Sequence, residues 1–170
     1  HNIMTTRIAK KNKKISVLMV TGVYFPEING AVLQCMRVIS FLSPKVNFNV
    51  LSSSKNNNRL KISTIESIDI YRLSSKSNFF IRLAQLFNII FFFIRNKNKF
   101  DIVHFHGFTS RNAFIILISK IFRKKIIIKF TSFGHDDPGT IKRKSRILYF
   151  LYQFADSYIG ISPVFKESYT

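Results

Sequence analysis

The chain has no tryptophan, a single cysteine and only eight acidic residues among its 170. Each shortage excludes something. One cysteine, Cys35, rules out an internal disulfide framework and any cysteine-based zinc cluster. It falls in an apolar helical pattern, where a buried and inert thiol is the expected state rather than a nucleophile. Eight acids against 27 Lys and Arg leave a formal charge of +19. Such a balance attracts anions: nucleic acid, anionic lipid or phosphorylated small molecules. A lysine-rich soluble surface set by genome composition produces the same number. The 19 Phe fit an AT-rich codon bias, so they are not taken as a sign of binding.

Long hydrophobic runs are also scarce. His1 to Lys14 is polar and basic and does not read as a signal peptide. The most apolar stretch, Phe79 to Ile94, is interrupted by Arg82, Gln85 and Asn88. It falls short of the about 20 residues a bilayer span needs, so an integral membrane protein is not expected. His1-Asn2-Ile3 ahead of Met4 are set aside as an expression remnant, and residues 1–13 read as a basic N-terminal segment. Residues 14–170 suit one domain with a proper core, at 19.8 kDa for the whole chain.

Along that domain, Ile15 to Val20 is a short β-branched, apolar run of the kind buried in parallel sheets. A loop punctuated by Pro26, Asn29 and Gly30 follows, then apolar residues at helical spacing from Ala31 to Leu42, stopped by Pro44. Val46–Ser52 and Ile68–Leu73 read as strands, separated by a polar, asparagine-rich loop over Ser53–Ser63. Helices are expected at Phe79–Ile94, Asn112–Phe122 and Arg143–Phe154, and strands at Asp101–Phe105, Ile126–Phe130 and Ser157–Ile161, with room for a new helix at Pro163. Strands alternating with helices require crossover connections. The fold class is therefore α/β, a doubly wound, mainly parallel and Rossmann-like sheet.

In such a sheet ligands sit beyond the carboxyl ends of the strands. Three loops there carry unusual residues. Gly22 to Gly30 ends at a helix start, where free amides and the helix dipole suit a phosphate, although Asn29-Gly30 by itself is more often a plain turn than an anion site. The Gly-x-Gly-x-x-Gly and Walker patterns are absent. In the second, His104 and His106 share one face of a strand. No matching ligands accompany them, so no metal is assigned. His106, followed by Gly107, is placed to hydrogen-bond a polar ligand, and His104 reads as a satisfied core histidine. The third, Thr131 to Gly139, sets Asp136 and Asp137 beside His135, which serves either as catalytic acids or as a turn and helix start.

Tyr24-Phe25-Pro26-Glu27-Ile28-Asn29-Gly30, Asp101-Ile102-Val103-His104-Phe105-His106-Gly107 and Ala155-Asp156-Ser157-Tyr158-Ile159-Gly160-Ile161-Ser162 together resemble three stretches of one known domain. It is the N-terminal domain of GT-B-fold retaining glycosyltransferases of family four. The resemblance covers Lys14 to about Lys166. It implies transfer of a sugar from a nucleotide-diphosphate sugar to an acceptor, lipid-linked or a cell-surface glycan, with no cofactor and no metal. It also implies that Asn29 and Gly30 approach the donor diphosphate and that His106 acts beside the transferring sugar. Gly107, Thr131 and Gly134 are further candidate substrate contacts. The pattern departs from the family at Asn29, which replaces the first of two glycines, and at His135, displaced by two positions and given no role. The family's second, donor-binding domain with its Glu-x7-Glu pattern is not found within these residues. The chain alone is accordingly expected to be the acceptor half and inactive, completed by a further domain or partner subunit.

The same resemblance suggests a cytoplasmic protein, peripheral at the inner face of the membrane. Phe79–Leu83 and Phe87–Ile94, flanked by Lys76, Arg95, Lys97 and Lys99, read either as an interfacial surface on anionic lipid or as core packing with basic ends. The rival class is a non-enzymatic basic module binding nucleic acid or anionic membrane. For nucleic acid it would use Lys120, Arg123, Lys124, Lys125 and the Lys142-Arg143-Lys144 run. The basic residues are spread along the whole chain and no recognition-helix, zinc-finger or RNP pattern is present, so nucleic acid is disfavoured. A freestanding nucleotide-binding regulator with this fold is a third reading.

Overall fold

The computed structural model describes residues 14–54, 61–74, 78–132 and 134–163. A sheet in the order β3-β4-β2-β1-β5-β6-β7 organises them. Its strands are β1 (Ile15–Thr21), β2 (Val46–Ser54), β3 (Lys61–Ile65), β4 (Ile68–Ser74), β5 (Ile102–His106), β6 (Lys125–Lys129) and β7 (Ser157–Ile159). All neighbours pair in parallel except β3 with β4. The chain moves outward from β1 to β4 on one side, then returns to place β5 on β1's other side. The topological switch point therefore lies between β1 and β5.

The helices are α1 (Gly30–Leu42), α2 (Phe79–Asn96), α3 (Ser110–Ile121), α4 (Pro138–Lys144) and α5 (Arg146–Tyr152). One face of the sheet is covered by α1, whose Val32, Cys35 and Ile39 pack with Met19, Val50 and Ile70. The other carries the larger core, where Phe92, Phe93, Phe100 and Phe105 are all but fully enclosed. Alternation along β1 divides the two cores: Leu18 and Val20 enter the second, Val17 and Met19 the first.

Two elements differ from expectation. The polar stretch expected as a loop over 53–63 contains the end of β2 and the start of β3. β3 is an edge strand in a hairpin with β4, paired Ile65↔Ile68 across Glu66 and Ser67. Both turn residues have positive φ, 48° and 67°, the geometry of a type I′ turn built without its usual Asn-Gly. The helix expected over 143–154 is two short helices, because Ser145 is extended (φ −164°, ψ 123°) and its hydroxyl caps Leu148 N–H at 3.3 Å. The basic segment 1–13, the Asn-rich centre 55–60, Lys76 and any helix beyond Pro163 lie outside the described residues.

Helix α2 is longer than its apolar stretch suggested. At 18 residues it is, among the described residues, the one helix long and apolar enough to cross a membrane by length and composition. Its packing decides how it is used here. Ile89, Phe92, Phe93 and Asn96 are buried against the sheet. Phe79, Phe80, Leu83, Phe87, Phe91 and Ile94 are exposed. Core packing thus accounts for one stripe of the helix, and the opposite stripe remains a row of uncovered apolar side chains.

Candidate functional site

Two acids hold the strands that present the site. Asp101 accepts Ser16 N–H at 3.1 Å, fastening the start of β5 to β1. Asp156 accepts Ile126 N–H at 2.8 Å, fastening the start of β7 to β6, and pairs with Lys120 at 2.9 Å. Burial works to raise the Asp156 pKa, but the Lys120 and Ile126 hydrogen bonds outweigh it and leave the carboxyl below its ordinary value. Both acids of the recognised stretches therefore have a structural use at the end of the sheet remote from the ligand edge.

At the carboxyl edge, a cleft of about 270 Å³ opens at the switch point. Thr21, Asn29, Ala31, His106, Gly107 and Thr131 are among the residues lining it. The Asn29 side chain accepts Val32 N–H at 2.9 Å and caps α1. Its backbone is extended (φ −145°), so it does not use the left-handed conformation a glycine would allow. The amides of Gly30 and Ala31, at the start of the helix, have no carbonyl one turn back to bond. Arg72 steadies the preceding loop by donating to the Phe25 carbonyl at 2.6 Å.

His106 faces this helix start from β5. It is 3 % exposed, and neither ring nitrogen has a hydrogen-bond partner among the described residues. The Ala31 backbone lies near the ring but makes no hydrogen bond of normal geometry with it. Burial, then the charge of Lys129 and the neighbouring His104, push the His106 pKa down to about 4. Near neutral pH it is an uncharged imidazole with one donor and one acceptor available.

His104 is buried as expected, but it is not satisfied. Its Nε2 has no partner among the described residues, because the register sets it between Met19 and Ile127. Burial and Lys129 likewise lower its pKa to about 4. Cys35 is fully buried, and burial pushes its thiol up to about 12, consistent with an inert core residue. Among the described residues no group of three or more metal-ligating side chains occurs.

The third loop resolves into a cradle. Asp136, 4 % exposed, accepts Thr131 N–H at 2.9 Å, Thr131 Oγ1–H at 2.8 Å, Ser132 N–H at 2.9 Å and Phe108 N–H at 3.4 Å. Asp137 caps α4 through Thr140 N–H at 2.9 Å and also accepts Gly134 N–H at 2.7 Å. Burial raises the Asp137 pKa, and these hydrogen bonds more than reverse the effect, leaving it low. The pair is thus a turn and helix start, with its oxygens committed to backbone groups. Gly107 has φ +87°, and a Cβ there would meet Thr131 Oγ1 at 3.1 Å.

His106, Asn29, Gly107 and Thr131 come together at one cleft. Gly30 and Gly134 do not line it, and a Cβ on either would meet nothing within 4 Å. Exposed His135 lines the far rim. Asn112 was not singled out from the sequence. It is buried, donates to the Gly107 carbonyl at 3.0 Å and accepts from Thr109 Oγ1 at 3.2 Å. Only the His-Gly-Phe-Thr-Ser-Arg-Asn run, a strand end followed by a helix start, signalled it.

This architecture is similar to those of solved glycosyltransferases. MurG of Acinetobacter baumannii superposes with a TM-score of 0.53 over 86% of this chain, at 13% identity. The lipopolysaccharide outer core galactosyltransferase WaaB, in its apo form, superposes with a TM-score of 0.57 over 91%, at 16% identity. Both are GT-B glycosyltransferases. What they share with this chain is a mostly parallel, Rossmann-like α/β domain. At these identities the likeness concerns the fold alone. The chain spans 41% of the first and 42% of the second, so the GT-B-like domain corresponds to less than half of either. No protein-family model matches the sequence, and no curated protein does.

Proposed function

We propose that this chain is the acceptor-side domain of a retaining, family-four type glycosyltransferase using a nucleotide-diphosphate sugar. One observation carries the reading: unpartnered, uncharged His106 and the Asn29-capped start of α1 border the same switch-point cleft. A departing diphosphate accumulates negative charge, and the first amides of α1 are donors already aimed at that edge. His106 is too weak a base near neutral pH to remove a proton, and both nitrogens are available to hold the hydroxyls of the transferring sugar. Gly107 and Thr131 shape the floor beneath it. The nucleotide is held mainly by a second domain or subunit. The alternative of a non-enzymatic basic module is not favoured.

We place the protein on the cytoplasmic face of a membrane, docked through α2. The support is the exposed Phe79, Phe80, Phe87 and Phe91 on a helix ending in Arg95 and Lys97, within a chain of charge +19. Radiolabelled nucleotide sugars test the catalytic reading, offered both to this chain and to any longer protein containing it. Transfer by the longer protein, lost in His106→Ala, is the expected result. Robust turnover by the chain alone would overturn its assignment as a half-enzyme, and no transfer or donor hydrolysis with any nucleotide sugar would overturn the glycosyltransferase reading.

A further inference from the structure

Lys129 is an unbalanced charge beside the switch-point cleft. It ends β6 and pairs in register with His106 on β5. Its side chain is half-buried, and its amine donates to Gln34 Oε1 at 3.2 Å, one turn into α1. That amide carries no charge. No acid pairs with Lys129 among the described residues, where the only ion pairs are those of Asp156. A fully exposed lysine without a partner is screened by water and salt, whereas a partly buried one is screened much less.

The surroundings add to the imbalance. The first amides of α1 form the positive end of the helix dipole, so a cation beside that end is at the unfavoured one. His106 lines the cleft next to Lys129, with both ring nitrogens unpartnered among the described residues. Burial, and after it the charge of Lys129, keeps that ring neutral. Asp136 is the only acid among the lining residues, and its oxygens already accept from Thr131, Ser132 and Phe108. Each feature is unfavourable by itself, and one anion at the start of α1 relieves them all. The cation gains a counter-charge, the helix end gains an acceptor, and the imidazole N–H gains a partner. The amine is within reach: Thr131, on the cleft wall, is two residues beyond Lys129, about 7 Å along an extended chain. A flexible four-carbon stem covers most of that distance.

We infer that Lys129 is the residue of this domain that binds the donor diphosphate, its amine leaving Gln34 to meet the anion between the start of α1 and His106. The inference rests on the glycosyltransferase reading and adds to it the side chain that selects a multiply charged phosphate. A purely structural bridge to Gln34 makes the opposite prediction for stability. Removing a structural lysine destabilises the fold, whereas removing an uncompensated cation does not.

The test is a titration of the chain, at fixed ionic strength, with inorganic pyrophosphate and with inorganic phosphate. The Gly30 and Ala31 amides and the His106 imidazole report binding through their chemical shifts. Pyrophosphate should perturb all three and bind at least roughly tenfold more tightly than phosphate, a margin of about 1.4 kcal/mol. Lys129→Met should weaken it roughly tenfold, and Lys129→Arg, which keeps the charge, should retain most of it. Lys45→Met, at an exposed position past the far end of α1, should leave it unchanged. Thermal melts without added anion give the second readout, in which Lys129→Met should melt as high as the parent chain or higher. Unchanged pyrophosphate binding in Lys129→Met overturns the inference. So does an equal loss in Lys45→Met, which would make the effect one of net charge, and so does equal binding of the two anions. A lower melting point in Lys129→Met would make the bridge to Gln34 structural and overturn it as well.

Transfer or donor hydrolysis by the longer protein reports the underlying reading separately. Activity unchanged in Lys129→Met defeats the assignment of Lys129 and leaves the glycosyltransferase standing. Pyrophosphate binding through Lys129, with no transfer or hydrolysis of any nucleotide sugar, defeats the glycosyltransferase reading and leaves Lys129 as the cation of an anion site.

Discussion

His106 and Lys129 are register partners on adjacent strands, and the Gly107 amide next to the histidine donates to the Lys129 carbonyl at 2.9 Å. The lysine amine turns away to Gln34 Oε1 at 3.2 Å, yet its charge still bears on both histidines of β5. A buried imidazole beside a fixed cation stays neutral, and an anion brought into the cleft would oppose that cation. Lys129→Met should raise the pKa of His106 and His104 from about 4, followed by imidazole proton shifts. Burial is the larger cause, so the rise should be partial. No change would assign the whole depression to burial.

The same two histidines set a pH dependence of stability. Unfolded, each titrates near its ordinary 6.5; folded, near 4. Between those values the unfolded chain binds more protons, so stability is complete above about pH 6.5 and falls as pH drops towards 4. The full effect is on the order of 3 kcal/mol per histidine. His104→Leu should flatten that slope and leave stability at neutral pH unchanged or improved, because it removes an unpartnered buried nitrogen. Urea unfolding of both proteins at several pH values measures the difference. Equal slopes would mean that His104 titrates normally in the folded chain.

The Asp136 cradle should matter more to stability than the Asp137 cap. Asp136→Asn disturbs hydrogen bonds from Thr131, Ser132 and Phe108 at a buried position and should cost about 2–3 kcal/mol. Asp137→Ala removes a helix cap and should cost about 1 kcal/mol. Denaturation midpoints decide this, and the reverse order would place the structural weight of the loop at α4.

Glycines at the two loops should behave oppositely. Gly107→Ala forces a side chain into φ +87° and against Thr131 Oγ1, with an expected cost of at least about 1–2 kcal/mol. Gly30→Ala meets open space at a helix start and should be neutral to within about 0.5 kcal/mol. Thermal melts of the two variants make the comparison. A destabilising Gly30→Ala would show that the loop is tighter than its geometry indicates.

Docking through α2 predicts co-sedimentation with anionic vesicles that weakens as salt is added. Phe80→Glu and Phe87→Glu, at positions 82 % and 64 % exposed, should reduce it without altering the fold seen by circular dichroism. No co-sedimentation even at low salt would remove the membrane from the proposal.

Much of the arrangement was legible in the order of residues. Ile15 to Val20 and Ile102 to Phe105 are mostly apolar runs, broken only by Ser16 and His104, of the kind that a strand covered on both faces accommodates. Their alternation with helical stretches left a parallel sheet as the simplest solution. The hairpin of β3 was hidden because Ile62 is 58 % exposed and its turn uses Glu66-Ser67. An edge strand has little apolar patterning of its own, since its partner supplies the pairing.

By itself the sequence determined the fold class and most of its strands and helices, because these depend on local periodicity and on residues a few positions apart. Tertiary structure alone decided which loop residues meet. Asn29 and His106 are distant in the chain and border one cleft because β1 and β5 are neighbours at the switch point. Structure also decided that Asp136 is held by backbone groups, that His104 is left without a partner among the described residues, and that Lys129 lies beside His106. The reason is physical: burial and long-range pairing set the surroundings of each polar group, and neither is written in the spacing of residues along the chain.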